Sequence, residues 1–247
     1  ENLYKCIRQT ALSDPYKAAD ETYYKILVPE KNSKGKGVRK GYLWVVVGIN
    51  TRMIYLLYDD GSRSEKVILN ELGGCKGIIQ SDGYSPYRKL ESDAYPHITR
   101  IPCLQHIKRK FIDCGEDEPD AKRIVELINT LYQNEHKHKI GVDGWTVEQN
   151  LVHRKKYAPD ILGEIKDVLD DIEERGDLLP KSELKEAITY LRNEWNAVVD
   201  IFNYGDTYLD NNIVERMNRY ISLSRKNSLF FGSHKGAERG AILYTIA

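Results

Sequence analysis

Three carboxylates stand where a charge needs a reason. Asp20 lies inside an extended pattern, Ala18-Ala19-Asp20-Glu21-Thr22-Tyr23, where a charged side chain is disfavoured. Asp82 follows the apolar stretch Lys76–Gln80, at the carboxyl end of a strand, where α/β sheets bind their ligands. Glu215 falls in the first turn of a helix that starts at Asn212. Acids brought together repel one another unless a cation holds them. Hard oxygen donors with open positions suit Mg²⁺. Two such ions, about 3.5–4 Å apart, activate an attacking oxygen and stabilise the leaving one in a phosphoryl displacement. Each acid also has a plainer reading. Asp82-Gly83 is a turn dipeptide, Asn212-Ile213-Val214-Glu215 reads as a capping box, and Asp20 reads as a satisfied strand-end residue. Spacing favours the plain reading for each acid taken singly.

The elements that must position these acids are legible from periodicity. Tyr42–Ile49 is a continuous apolar, β-branched run, the signature of a strand covered on both faces. Met53–Tyr58 pairs with it across the Asn50–Arg52 turn, and the first hundred residues read mainly as strands. Tyr16–Ala19 and Tyr23–Val28 flank Asp20 in extended pattern, and Ile98–Leu104 is a further strand. Ser64–Leu72 has helical spacing, and Tyr84–Leu90 is a short helix or turn. From Ile107 to about Asn203 the spacing is helical throughout. Ala121–Lys137 is amphipathic, Val147–Glu174 is helical with a break expected at Pro159, and Ser182–Phe202 starts after Pro180 on a Ser cap. Helix resumes at Asn212–Leu223 and again from Ala237.

Composition bounds the function. The chain has 247 residues with 41% apolar content, enough for a real core. Its four cysteines, Cys6, Cys75, Cys103 and Cys114, form no Cys-x-x-Cys pair, which excludes a disulfide scaffold and a four-cysteine zinc knuckle. Cys103 and His106 alone make a poor zinc site. The longest apolar stretch is far too short to cross a bilayer, so a reducing, cytoplasmic setting is expected. The first residue is Glu, so a piece of a longer protein is expected. Net charge is zero, 37 basic against 37 acidic residues, which argues against a general nucleic-acid binder. The charge is nonetheless blocked: Glu30–Lys40 holds five bases and one acid, His97–Ile112 four Lys or Arg and no acid, and Asp160–Glu186 ten acids and four bases. A polyanion feels such local fields rather than their average.

The wording around the acids adds what spacing lacks. Asp20-Glu21-Thr22, Gln80-Ser-Asp-Gly-Tyr84 with Tyr87, Cys103-Leu-Gln-His-Ile-Lys-Arg-Lys-Phe111, Leu179-Pro-Lys-Ser182, Asp210-Asn-Asn-Ile-Val-Glu-Arg216 and Ser224-Arg-Lys-Asn-Ser-Leu-Phe230 with Gly236-Ala-Glu-Arg239 occur in one order. Together they resemble the catalytic core of insertion sequence 66 family transposases, from about Asp14 to the last residue. The resemblance implies an α/β, ribonuclease-H-like mixed five-stranded sheet flanked by helices, with an all-helical insertion before the last catalytic acid. It implies a discontinuous catalytic domain at 1–106 and 206–247 and an insertion at 107–205. It implies a triad of Asp20, Asp82 and Glu215 as both catalytic groups and metal ligands. It further implies two Mg²⁺ ions, with Mn²⁺ as a substitute. The reaction implied is cleavage of double-stranded DNA at element ends and strand transfer to target DNA, by a homo-oligomer in the prokaryotic cytoplasm, associated with the nucleoid.

Seven further residues are expected at the DNA: His106, Lys108, Arg109, Arg216, Arg219, Arg225 and Lys226. About half of such bases touch only solvent, since phosphate-contacting and solvating bases look alike in sequence. Lys108 stands where the family commonly has Arg, which puts a bidentate phosphate contact in question. Ser228 stands where the family has Trp, which removes a stacking surface. Two other classes compete with this reading. One is a DNA-binding or assembly module that no longer cuts; the intact acids argue against it. The other is a carboxylate-pair glycoside hydrolase, which needs two acids and no metal; the bases flanking the acids argue for phosphate.

Overall fold

The computed structural model describes residues 1–31, 35 and 37–247, so Lys34 and Lys36 of the basic stretch Glu30–Lys40 lie outside the described residues. The chain forms two compact units, Glu1–Arg100 with Asn211–Ala247, and Ile101–Asp210. In the first, five strands, β1 (Tyr16–Leu27), β2 (Val38–Gly48), β3 (Ile54–Tyr58), β4 (Gly77–Ser81) and β5 (Ile98–Pro102), lie in the order β3-β2-β1-β4-β5. β1 runs antiparallel to β2 and parallel to β4, so the sheet is mixed. Its helices are α1 (Asn2–Ser13), α2 (Glu65–Leu72), α3 (Ser85–Arg88), α8 (Asn212–Asn227) and α9 (His234–Ile246).

Alternation along the strands sorts these helices into two layers. Ala19 of β1 faces one side with Trp44, Val46 and Tyr55, against Ala11, Val67, Ile68, Leu72 and Tyr87 from α1, α2 and α3. Ala18, Tyr24 and Ile26 face the other side with Leu43, Val45 and Val47, against Val214 and Ile221 of α8 and Ala237 and Ala241 of α9. β2 is apolar without interruption because both of its faces are covered. A main-chain strap fixes the α8–α9 connection to β1: Leu27 N–H donates to Phe231 O at 2.8 Å, and Phe231 N–H donates to Lys25 O at 2.8 Å. The Phe231 ring packs on Tyr24 with centroids 4.3 Å apart.

The second unit holds α4 (Leu104–Ile112), α5 (Pro119–Glu135), α6 (Val147–Arg175) and α7 (Glu183–Ile201). Buried residues recur at helical spacing: Ile124, Leu127, Ile128 and Leu131 on α5, Ile161, Ile165, Leu169 and Ile172 on α6, and Leu184, Ile188 and Leu191 on α7. Ser182 caps α7 by accepting the Lys185 N–H at 3.2 Å. Ser182→Ala is expected to lower stability by about 1 kcal/mol in urea denaturation, the usual worth of such a cap. An unchanged midpoint would show that the cap contributes nothing.

Three expectations are corrected. Asn2–Ser13 is a helix within a region read mainly as strands; Tyr4, Ile7, Ala11 and Leu12 place one turn-spaced stripe on the sheet. Pro159 does not break α6, which is continuous to Arg175. Pro159 is exposed, and the buried Ala158, Ile161 and Leu162 on either side of it hold the helix together across it. Asn212 is not the N-cap of α8 but its first helical residue. The N-cap is Asn211, one residue earlier, and it makes no side-chain cap bond. Its amide instead donates to Ala19 O on β1, at 3.1 Å.

Candidate active site

The first unit holds all three acids, and Asp20 lies near enough to Asp82 and Glu215 to feel the charge of each. The β1–β4 register pairs Ala18 with Gln80. Asp82 is the first residue past the end of β4, and Asp20 lies two residues further along β1, on the face of Ala18. That face is the one α8 covers. Asn211 ties the start of α8 to β1 beside Asp20, and Glu215 follows one turn later. Asn218 shares the helical face of Glu215 at i+3, and its Nδ2 donates to Asp20 Oδ2 at 2.6 Å. The other Asp20 oxygen accepts the Glu21 N–H at 2.8 Å.

Asp82 carries out its plain duty as well: its Oδ1 accepts the Tyr84 N–H at 3.1 Å, closing the turn. Behind it stands Arg100, whose side chain is fully buried. Arg100 Nη1 donates to Asp82 O at 3.1 Å and to Ser81 Oγ at 3.4 Å, and its Nε pairs with Glu91. The end of β4 is therefore held rigidly where Asp82 leaves the sheet.

The electrostatics match the geometry. Burial first, then the charges of Glu21, Asp82 and Glu215, push the Asp20 carboxyl up to about 8 against the pull of the Glu21 N–H. Burial first and Asp82 second raise Glu21, although Arg63 donates to it at 2.5 and 2.8 Å. The buried Tyr87 phenol, 3.3 Å from Glu21, is held well above its ordinary range by burial and then by Glu21, Asp20 and Asp82. A pocket that drives a carboxyl toward its protonated form is short of positive charge. Asn218 Oδ1 is buried and has no hydrogen-bond partner among the described residues. An oxygen-rich donor set with a stranded oxygen beside it fits a hard divalent cation.

The expected DNA residues lie in two places. Arg216, Arg219 and Lys226 are exposed on α8. Arg225 is engaged with the sheet, Nη1 donating to Tyr23 O at 2.6 Å. His106, Lys108 and Arg109 lie on α4 in the second unit, where Arg109 is exposed and Lys108 Nζ stands 5.9 Å from the Tyr132 ring centre. Sequence reasoning missed Asn218, Asn211 and Arg100. The i+3 spacing from Glu215 was a usable signal for Asn218; nothing local marks the other two.

Comparison with known proteins decides the family. Residues 1–239 match the pattern described as "Transposase IS66 family". The chain belongs to that family. It is 30% identical over 192 residues to the uncharacterized protein y4jD of Sinorhizobium fredii (strain NBRC 101917 / NGR234), covering 75% of this chain and 36% of that one. It is 27% identical over 208 residues to y4hP of the same strain, 77% of this chain and 36% of that one. It is 29% identical over 243 residues to y4qI, 92% of this chain and 43% of that one. This IS66-family chain thus spans well under half the length of the curated relatives it matches. Among its described residues, no helix is long and apolar enough to cross a membrane.

Proposed function

We propose that the first unit is the metal-dependent catalytic core of a DNA transposase, with Asp20, Asp82 and Glu215 as its ligands and catalytic groups. The observation that carries this reading is geometric: β1, the end of β4 and α8, three distant segments that carry Asp20, Asp82 and Glu215, are joined there by the parallel β1–β4 pairing and the Asn218–Asp20 hydrogen bond. The strand order, with β1 antiparallel to β2 and parallel to β4, supports a ribonuclease-H-like assignment for the sheet. Membership of a transposase family supports DNA as the substrate.

Two Mg²⁺ ions, or Mn²⁺ in their place, supply charge stabilisation of the phosphoryl group and acidify the attacking oxygen when bound. The chain's own part is to hold three carboxylates at fixed places, so that little reorganisation is needed at the moment of reaction. Asp20 stands on β1 and Asp82 just past the end of β4, while α8 carries Glu215 and brings Asn218 onto Asp20. In the first step water displaces the 3′ oxygen of a phosphodiester at the element end, leaving a 3′-hydroxyl and a 5′-phosphate. In the second, that hydroxyl attacks a target phosphodiester, forming one P–O bond as another breaks. No nucleotide cofactor is needed.

The test is nicking of supercoiled plasmid DNA by the chain with Mg²⁺ or Mn²⁺, which a chelator should abolish. Chelator-insensitive activity would overturn the assignment, and failure to bind Mn²⁺ would favour the non-cutting module. Asn218→Ala should weaken Mn²⁺ binding by about 10–100-fold, as loss of an orienting partner of a ligand does. An unchanged affinity in a Mn²⁺ titration would remove Asn218 from the site.

A further inference from the structure

Beyond Trp44, the sheet face opposite Asp20 carries a row of tyrosines and cations, which Arg225 joins from α8. Tyr23 of β1 and Tyr42 of β2 are direct cross-strand partners. The Arg63 guanidinium lies 4.1 Å from the Tyr84 ring centre and 5.2 Å from that of Tyr42. Lys40 Nζ lies 5.5 Å from the Tyr42 centre and 4.4 Å from that of Tyr23. The Arg225 guanidinium lies 4.4 Å from the Tyr23 centre. Rings and cations therefore alternate along one line, Tyr84, Arg63, Tyr42, Lys40, Tyr23, Arg225. One end begins in the turn that follows β4, where the Tyr84 N–H donates to Asp82 Oδ1.

A solvated sheet face needs neither tyrosines nor this alternation. Tyr23 is 42% exposed, and Lys40 and Arg63 are exposed as well. Arg63 is neutralised by Glu21, so it serves as a flat spacer between two rings. Lys40, its exposed cross-strand partner Lys25, and Arg225, which also donates to Tyr23 O, are the cations beside Tyr23 for phosphates. A polymer with a phosphate at every step and an aromatic face at every step matches this row. Only an unpaired strand offers the faces, because a duplex buries them in its own stack.

We infer that the Tyr84–Tyr42–Tyr23 row is a track for single-stranded DNA leading away from the acid site. On binding, Lys40 and Arg225 move from the ring faces to phosphates and the rings receive bases. This inference rests on the transposase reading for its choice of DNA, but its test needs no cleavage.

The experiment is fluorescence anisotropy of a labelled oligothymidylate and of a duplex of equal length, in chelator, with the full chain. Tyr23→Ala and Tyr42→Ala should each weaken the single strand about 10-fold, as loss of one stacking platform does. Duplex binding should stay unchanged. Tyr23→Phe and Tyr42→Phe keep the rings and should bind as the parent does, which separates stacking from misfolding. Lys40→Ala should weaken the single strand and flatten its salt dependence. Single-strand affinity unchanged in the Tyr23→Ala, Tyr42→Ala double variant would overturn the track, as would equal weakening of both DNAs. Lost cleavage with intact strand binding would count against the catalytic reading alone; the converse would count against the track alone.

Discussion

Asp82→Asn should abolish metal-dependent DNA cleavage while leaving the protein as stable as before, or more so. The substitution keeps the turn, because an amide oxygen still accepts the Tyr84 N–H that Asp82 Oδ1 accepts now. It keeps the Arg100 clamp, which grips the main chain at Asp82 and not its carboxylate. What it removes is one negative charge that helps push the Asp20 and Glu21 carboxyls up. Relieving that repulsion favours the metal-free fold. The same charge is what grips the cation. Losing several kcal/mol of transition-state stabilisation is a rate loss of about 1,000-fold or more. Plasmid nicking and a thermal melt on one preparation read both effects. Unaltered cleavage would take Asp82 out of the chemistry.

The second large effect lies far from the acids in sequence. Arg154 on α6 is almost wholly buried and holds the second unit at several points. It donates to both Glu135 oxygens at 2.8 and 2.6 Å, to Tyr204 O at 2.6 Å, and to Thr207 O and Oγ1 at 2.6 Å each. Arg154→Leu strips all of these partners at once and leaves Glu135 without its counter-charge. Breaking one side of a buried pair costs about 3–5 kcal/mol, and faster amide exchange in α6 and α7 should report it. Unchanged protection would contradict the clamp. Lysine should rescue little, because it lacks the planar fork.

The pH dependence of this pair has a definite sign. Burial alone would raise the Glu135 carboxyl, but the hydrogen bond and charge of Arg154 outweigh it and hold the carboxyl below its ordinary range. A carboxyl depressed on folding stabilises the protein above its unfolded pKa, and that stability is lost as pH falls through the folded value. Glu135→Gln should therefore flatten the acid limb of stability against pH.

Some of this was legible in the residues and some was not. The run Leu43–Val47 announces a strand buried on both faces, and the three long helices of the second unit announce themselves by spacing. α1 does not, because its apolar stripe is thin and is recognisable only against the sheet it covers. Pro159 misleads because tertiary packing of the buried positions around it, Ala158, Ile161 and Leu162, outweighs the local cost of a proline in a helix. The Asn212 box misleads because the true cap, Asn211, spends its side chain on β1. The nearness of Asp20 to Asp82 depends on parallel pairing between segments about sixty residues apart, which no local pattern encodes. Asn218 was within reach, since helical spacing from Glu215 already puts it on the acid face.

Diffraction from crystals soaked in Mn²⁺, with data collected for the anomalous signal of manganese, tests the central claim most directly. Two peaks are expected, each within bonding distance of carboxylate oxygens drawn from Asp20, Asp82 and Glu215. Saturating Mn²⁺ with no peak there, or a peak held by other residues while these side chains stand apart, would contradict it.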